Sequence, residues 1–78
     1  ARSECRFSNG TQRIHYLDRY FFDRQELFYF DNDRGKFVAV AELGEPEVKR
    51  WNQDKERLRN WMSMVDLFCR NNYEIQAP

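Results

Sequence analysis

The chain has only two cysteines, Cys5 close to one end and Cys69 close to the other, and that pair constrains everything between. Cys69 lies in a stretch, Gly44 to Tyr73, that reads as one long helical segment. Apolar residues at Leu58, Trp61, Met62, Val65, Phe68 and Cys69 recur in steps of three and four, the spacing of a helix with one buried stripe. Lys55, Glu56, Arg59 and Ser63 fall on the other side. Gly44 and Pro46 mark the entry, with Glu45 and Glu47 at the positive end of the helix dipole. Trp51 stands outside the continuous stripe, about two turns before Leu58, which predicts a bend or a second, shorter helical piece between Glu47 and Asp54. A Cys5–Cys69 bridge would close a loop over nearly the whole chain, and by the chain-entropy account it contributes about 4 kcal/mol. The alternative is two unrelated buried thiols.

At 78 residues there is room for one small domain whose core needs a staple or a partner. Thirteen basic residues balance thirteen acidic ones, which argues against a nucleic-acid or polybasic membrane binder. No apolar run approaches the ~20 residues of a membrane span, and no signal peptide is evident; the abrupt start at Ala1 reads as a mature or trimmed piece. Asn9-Gly10-Thr11 is an N-glycosylation sequon, which with the cysteine pair favours an oxidising compartment. Nothing points to an enzyme. The single histidine, His15, has no nucleophile at a credible spacing, the three glycines form no phosphate-cradling loop, and two cysteines with one histidine make a poor metal site, so no cofactor is expected.

Before the helix the chain reads as a four-stranded antiparallel meander: Ser3 to Phe7, Gln12 to Phe22, Glu26 to Phe30 and Lys36 to Val40, giving an α+β fold. A two-residue turn at Asn9-Gly10 predicts Cys5 opposite Ile14 and Ser3 opposite Tyr16. Since Cys5 must face the helix that carries Cys69, Ile14, Tyr16, Asp18 and Tyr20 face it too, and His15 faces away. A two-residue turn at Asp23-Arg24 then places Leu27 and Tyr29 on the helix side, with Phe37. Such a face is oddly polar for a sealed core. A buried, unpaired Asp18 would cost several kcal/mol, and one helix about 10 Å wide cannot cover four strands at ~4.8 Å spacing. Two readings stand: an open binding floor, or a wet face on which Asp18 pairs with a basic residue such as Arg57.

In their order and spacing, Cys5, Asn9-Gly10-Thr11, Leu17-Asp18-Arg19-Tyr20, Phe30-Asp31-Asn32-Asp33 and Phe37-Val38-Ala39-Val40 resemble the first extracellular domain of an MHC class II beta chain. The likeness continues through Glu42-Leu43-Gly44-Glu45-Pro46, Trp51-Asn52, Val65-Asp66 and Cys69-Arg70-Asn71-Asn72-Tyr73. It implies that residues 1–78 are one beta-1-type domain, with the start of its first strand and an immunoglobulin-like second domain lying outside the sequence. It also implies the extracellular or lumenal part of a type I membrane protein, glycosylated at Asn9. The expected partners are a class II alpha chain, which supplies the other half of an eight-stranded platform, an extended antigenic peptide held between two helices, and a T-cell receptor with a CD4-type co-receptor.

The resemblance assigns roles as well. Trp51 and Asn72 correspond to residues that hydrogen-bond peptide backbone; an amide suits this because it donates and accepts in one plane. Asn71 stands where the family usually carries histidine and reaches less far. Ser3, Tyr16, Asp18, Tyr20, Leu27, Phe37, Glu47, Arg57, Asn60, Trp61, Met64, Phe68, Ile75 and Gln76 match pocket-lining positions. Trp61 is large for its place and is expected to narrow the central pocket against bulky peptide side chains. Glu47 matches an acidic residue that pairs with an alpha-chain arginine. The alternatives are a class II-like exchange molecule that holds no peptide, and a self-contained secreted domain whose helix seals its own sheet.

Overall fold

The computed structural model describes residues 1–8 and 13–76, with side chains described as far as Tyr73. Four strands, β1 (Arg2–Ser8), β2 (Arg13–Phe22), β3 (Gln25–Asp31) and β4 (Lys36–Ala39), pair in the order β1-β2-β3-β4, all antiparallel. A short 3-10 turn, Glu42–Gly44, leads into α1 (Glu45–Asn52) and α2 (Lys55–Met64). A π-helical segment, Val65–Arg70, and a last turn, α3 (Asn71–Gln76), follow. The expected break between Glu47 and Asp54 falls at Gln53-Asp54. There Asp54 caps α2 by accepting from the Arg57 amide at 3.1 Å. The π segment has no counterpart in the sequence reading.

Two registers differ from expectation. β1 meets β2 as Cys5↔Tyr16 and Ser3↔Asp18, two residues further along than a two-residue turn would give, and the last pair is Ser8↔Arg13. Residues 9–12, and with them the Asn9 sequon, lie outside the described residues. A slip of two conserves the face, because side chains alternate with period two. The second difference does not. The Asp23-Arg24 turn has both φ values positive, 52° and 68°, as a two-residue hairpin of right-handed twist requires. It pairs Phe22 with Gln25 as expected, but a bulge then leaves Leu27 unpaired and sets Tyr20 opposite Phe28. Phe28 and Phe30, not Leu27 and Tyr29, therefore take the helix side. The bulge buries two phenylalanines, whereas a regular ladder would have buried a leucine and a tyrosine.

The core follows from this. Ile14, Tyr16, Phe28, Phe30, Phe37 and Cys69 are buried, with Trp51, Leu58, Trp61, Met64, Val65 and Phe68 packed over them from the helices. Met64, not the expected Met62, belongs to this stripe; Met62 is exposed because it lies about 100° round the helix from Trp61. The aromatic rings meet mostly edge to face, as in Phe28–Trp51 at 5.2 Å and Phe37–Trp51 at 5.1 Å. Cys5 and Cys69 are joined, with 5.6 Å between their Cα atoms. Two asparagines complete the backbone pairing. Asn52 receives the Phe37 amide at 2.8 Å and donates to its carbonyl at 2.9 Å, covering the edge of β4. Asn32 does the same between Tyr16 and Ile14. On the far face Arg19 bridges Glu4 (2.8 Å) and Glu26 (2.9 Å), which raises its pKa, and His15 lies 3.0 Å from Asp31.

The helices lie mainly over β2, β3 and β4 and reach β1 through the Cys5–Cys69 bridge and through Tyr73, whose ring centre lies 5.0 Å from that of Phe7. Ser3 and Phe7 on its helix-side face are exposed, and Cys5 is half-buried. The least covered part of the floor is therefore the Ser3 end of β1, at one edge of the sheet.

Candidate functional site

Asp18 lies in the middle of β2, pointing up between the sheet and α2, and only 8 % of its surface is exposed. A carboxylate in that position needs donors. These include the Ser3 hydroxyl at 3.2 Å, the Tyr20 hydroxyl at 3.1 Å and the Trp61 indole N–H at 3.1 Å, and the Tyr16 hydroxyl also hydrogen-bonds to it. The indole N–H is shared with the Tyr20 hydroxyl oxygen, also at 3.1 Å. The network ties β1, β2 and α2 together. The pairing with Arg57 is not found: the Arg57 guanidinium instead stacks 4.4 Å over the Trp51 ring and lies 3.9 Å from Asp54. Burial, and after it the charge of Asp18, pushes the Tyr20 phenol up to about 12. Tyr16 is also raised, first by burial.

Above this network is a hollow of about 210 Å³, lined by Ser3, Tyr16, Asp18, Asn60, Trp61 and Met64. All six were named from the sequence. A second, wider hollow of about 370 Å³ runs along the outer flank of α2 past Asp54, Glu56, Arg57, Asn60 and Trp61. The first is smaller than the ~300–1,000 Å³ clefts that hold drug-sized ligands, and suits one side chain of a longer ligand.

A sequence profile of the family described as class II histocompatibility antigen, beta domain, matches residues 1–77. The chain belongs to that family. It is 46% identical over 74 residues to the human HLA class II histocompatibility antigen, DRB1 beta chain. It is 47% identical over 75 residues to the dog DLA class II DR-1 beta chain, and 47% over 73 residues to the mouse H-2 class II E-D beta chain. These alignments cover 95%, 96% and 94% of this chain but 28% of each relative, so the chain spans little more than a quarter of their length.

In this class II beta domain the remaining candidate residues sort by place. Trp51 is half-buried among Tyr20, Phe28, Phe37 and Trp61, and among the described residues its indole N–H has no partner. Phe37 is 1 % exposed and belongs to the core beneath both tryptophans, not to an open wall. Phe68 packs edge-on against Tyr16 at 6.3 Å. Leu27 sits in the bulge, half-buried against the core, and its carbonyl accepts the Val40 and Ala41 amides. Glu47 accepts from Arg50 through Oε1, while its Oε2 is buried without a partner among the described residues. Asn71 is exposed and Asn72 half-buried, one residue apart on α3; the side chains of Ile75 and Gln76 lie outside the described residues. The sequence reading named the members of the Asp18 network but not the network. Its signal was present: a carboxylate, a hydroxyl and a phenol alternating on one sheet face, with an indole on the helix opposite. It missed Asn52 as the partner of β4.

Proposed function

We propose that this domain is half of a peptide-binding groove. Paired with a class II alpha chain, it would hold extended peptides for display to T-cell receptors, with a CD4-type co-receptor engaging the full molecule. The observation that carries this reading is the hollow on the floor: six residues at family pocket positions converge there, beside the exposed Ser3 end of β1. A self-contained domain would be expected to cover that end of the floor with its own helix. An alpha chain joining along the edge of β1 would complete the floor and wall the hollow from the other side. Within the groove, the Trp51 indole N–H is available to a peptide carbonyl, and Asn72 can donate to and accept from one peptide unit. Asn71 makes a shorter-reaching contact. The unpartnered Glu47 Oε2 suits an alpha-chain arginine; if that pair forms, acidic peptide ends are disfavoured, and Glu47→Ala gains a preference for them. The full protein would sit in a membrane with this domain extracellular or lumenal and Asn9 glycosylated.

The test is purification of the native protein followed by acid elution. The expected result is a second chain in equal amount and a mixed set of short peptides. A monomer in size-exclusion, unchanged on mixing with an alpha chain, refutes the pairing. A heterodimer that yields no peptides refutes presentation and favours an exchange role.

A further inference from the structure

On the far face of the sheet the chain's one histidine meets two carboxylates. His15 Nε2 lies 3.0 Å from Asp31 Oδ1 and 3.7 Å from Asp33 Oδ2, and the three atoms all fall within 4.8 Å of one another. Asn32, between the two aspartates, fixes them against β2. Its side-chain amide accepts from the Tyr16 N–H at 2.7 Å and donates to the Ile14 carbonyl at 2.8 Å, so it grips the backbone on either side of His15. Asp31 is 6 % exposed, and the Asp33 amide donates to its Oδ1 at 2.9 Å. Among the described residues its Oδ2 is left to the Arg34 guanidinium, 3.6 Å away and too far for a hydrogen bond. Asp33 Oδ2 accepts from Arg13 at 3.0 Å. Both arginines are well exposed, and such pairs contribute little.

We infer that His15, Asp31 and Asp33 form a site for a zinc ion, on the opposite side of the sheet from the hollow above Asp18 and independent of any peptide. A tetrahedral zinc holds nitrogen and oxygen ligands at about 2.0–2.2 Å, which sets them about 3.3–3.6 Å from one another. The separations of 3.0 and 3.7 Å bracket that span, so the ion fits with small side-chain rotations and an unmoved backbone. An imidazole among carboxylates selects zinc, whereas calcium and magnesium take oxygen ligands. The ring binds as neutral imidazole, with its proton on Nδ1 and the Nε2 lone pair on the ion. The Asp33 amide on Asp31 Oδ1 is the kind of outer hydrogen bond that orients a ligating carboxylate. The ion takes the place of Arg13 on Asp33, and three protein ligands leave the fourth position to water or to a donor from outside the domain. Along the sequence His15 was weighed with the cysteines; the fold sets it beside two carboxylates of the turn after β3 instead.

The experiment is a zinc titration, by isothermal calorimetry, of the full protein produced with the chain that accompanies it and stripped of metal by a chelator. The unaltered protein is compared with His15→Gln, Asp33→Asn and Arg13→Gln, each first shown to be folded by circular dichroism. The unaltered protein is expected to take up one zinc that His15→Gln and Asp33→Asn bind at least about tenfold more weakly. Arg13→Gln is expected to bind zinc about two- to fivefold more tightly, because an exposed guanidinium no longer competes for Asp33. That gain separates a metal site from a mere ion-pair cluster, which the same change would only loosen. Calcium is expected to leave the zinc isotherm unchanged. No zinc uptake by the unaltered protein overturns the inference, as does uptake that His15→Gln and Asp33→Asn leave intact. Zinc binding no tighter in Arg13→Gln than in the unaltered protein also overturns it. So does calcium competing as well as zinc, which would mean that the imidazole takes no part. If His15→Gln and Asp33→Asn do not fold, the Arg13→Gln and calcium results decide.

Discussion

Replacing Trp61 by phenylalanine isolates one bond from one ring. Phenylalanine keeps a ring against Phe37 and Trp51, which lie 5.8 and 6.2 Å from the Trp61 ring centre. It deletes the indole N–H that Asp18 and the Tyr20 hydroxyl share, each at 3.1 Å. Asp18 is then left with hydroxyl donors alone at a site only 8 % exposed. A hydrogen bond to a charged group contributes about 1.5–3 kcal/mol, so a loss of about 2 kcal/mol is expected. In a domain of this size that lowers the melting midpoint by roughly 8–16 °C, at about 4–8 °C per kcal/mol. Lost ring volume would also destabilise, so the single variant does not suffice. The decisive assay is a double-mutant cycle with Asp18→Asn, measured by urea unfolding. If the indole acts through the carboxylate, Trp61→Phe should cost at least about 1 kcal/mol less in the Asp18→Asn background, where the acceptor is uncharged. Equal costs in the two backgrounds, within about 0.5 kcal/mol, would refute the network as the reason for the tryptophan.

Removing the bridge by Cys5→Ser with Cys69→Ser frees a loop of 64 residues' separation. The expected loss is about 4 kcal/mol, against a total of roughly 4–12 kcal/mol for a chain this long; unfolding midpoints with and without reductant check it. Gly44→Ala places a Cβ 2.4 Å from the Leu27 carbonyl oxygen, a backbone atom already fixed by two amides, so a loss of about 1–3 kcal/mol is expected in the same urea assay. Tyr20 is neutral in the fold up to about 12 but titrates at its ordinary value of 10.0 when unfolded. Its contribution to stability is therefore complete below pH 10 and is lost as pH rises through about 12. Tyrosinate absorbance should show a late step near pH 12 that Tyr20→Phe removes.

The strand order, the helical stretch with its break, the bridge and the facing of β2 were legible because each follows from a period or from counting. Alternation by two survived even a register slip of two residues. β3 was not legible. Its sequence, Gln25-Glu26-Leu27-Phe28-Tyr29-Phe30, is apolar on both alternations, so period alone could not say which set faces the helices. The bulge at Leu27 decided it, and a bulge chosen by the packing of distant rings leaves no local mark. The same holds for Met62 and Met64, two residues apart on a helix whose stripe is wide enough to admit either. The π segment is a further case, for nothing in Val65–Arg70 departs from ordinary helical composition.

The polar face that looked wrong for a core carries the argument from fold to site. Had Asp18 been balanced by Arg57, the floor would be neutral and the hollow a packing defect of little consequence. Instead Arg57 is held away by Trp51 and Asp54, and neutral hydroxyl and indole groups hold the carboxylate in place without cancelling its charge. Those groups come from β1, β2 and α2, so the contacts that hold the helix over the sheet also aim the charge into the hollow. If the domain is half of a peptide groove, as proposed, a substitution that weakens the network should change peptide preference and stability together. On the same reading, a change at the Trp51 indole, which has no partner among the described residues, such as Trp51→Phe, should weaken peptide retention while moving the unfolding midpoint less than Trp61→Phe does. Reversal of that order would show that the two tryptophans had been assigned to each other's work.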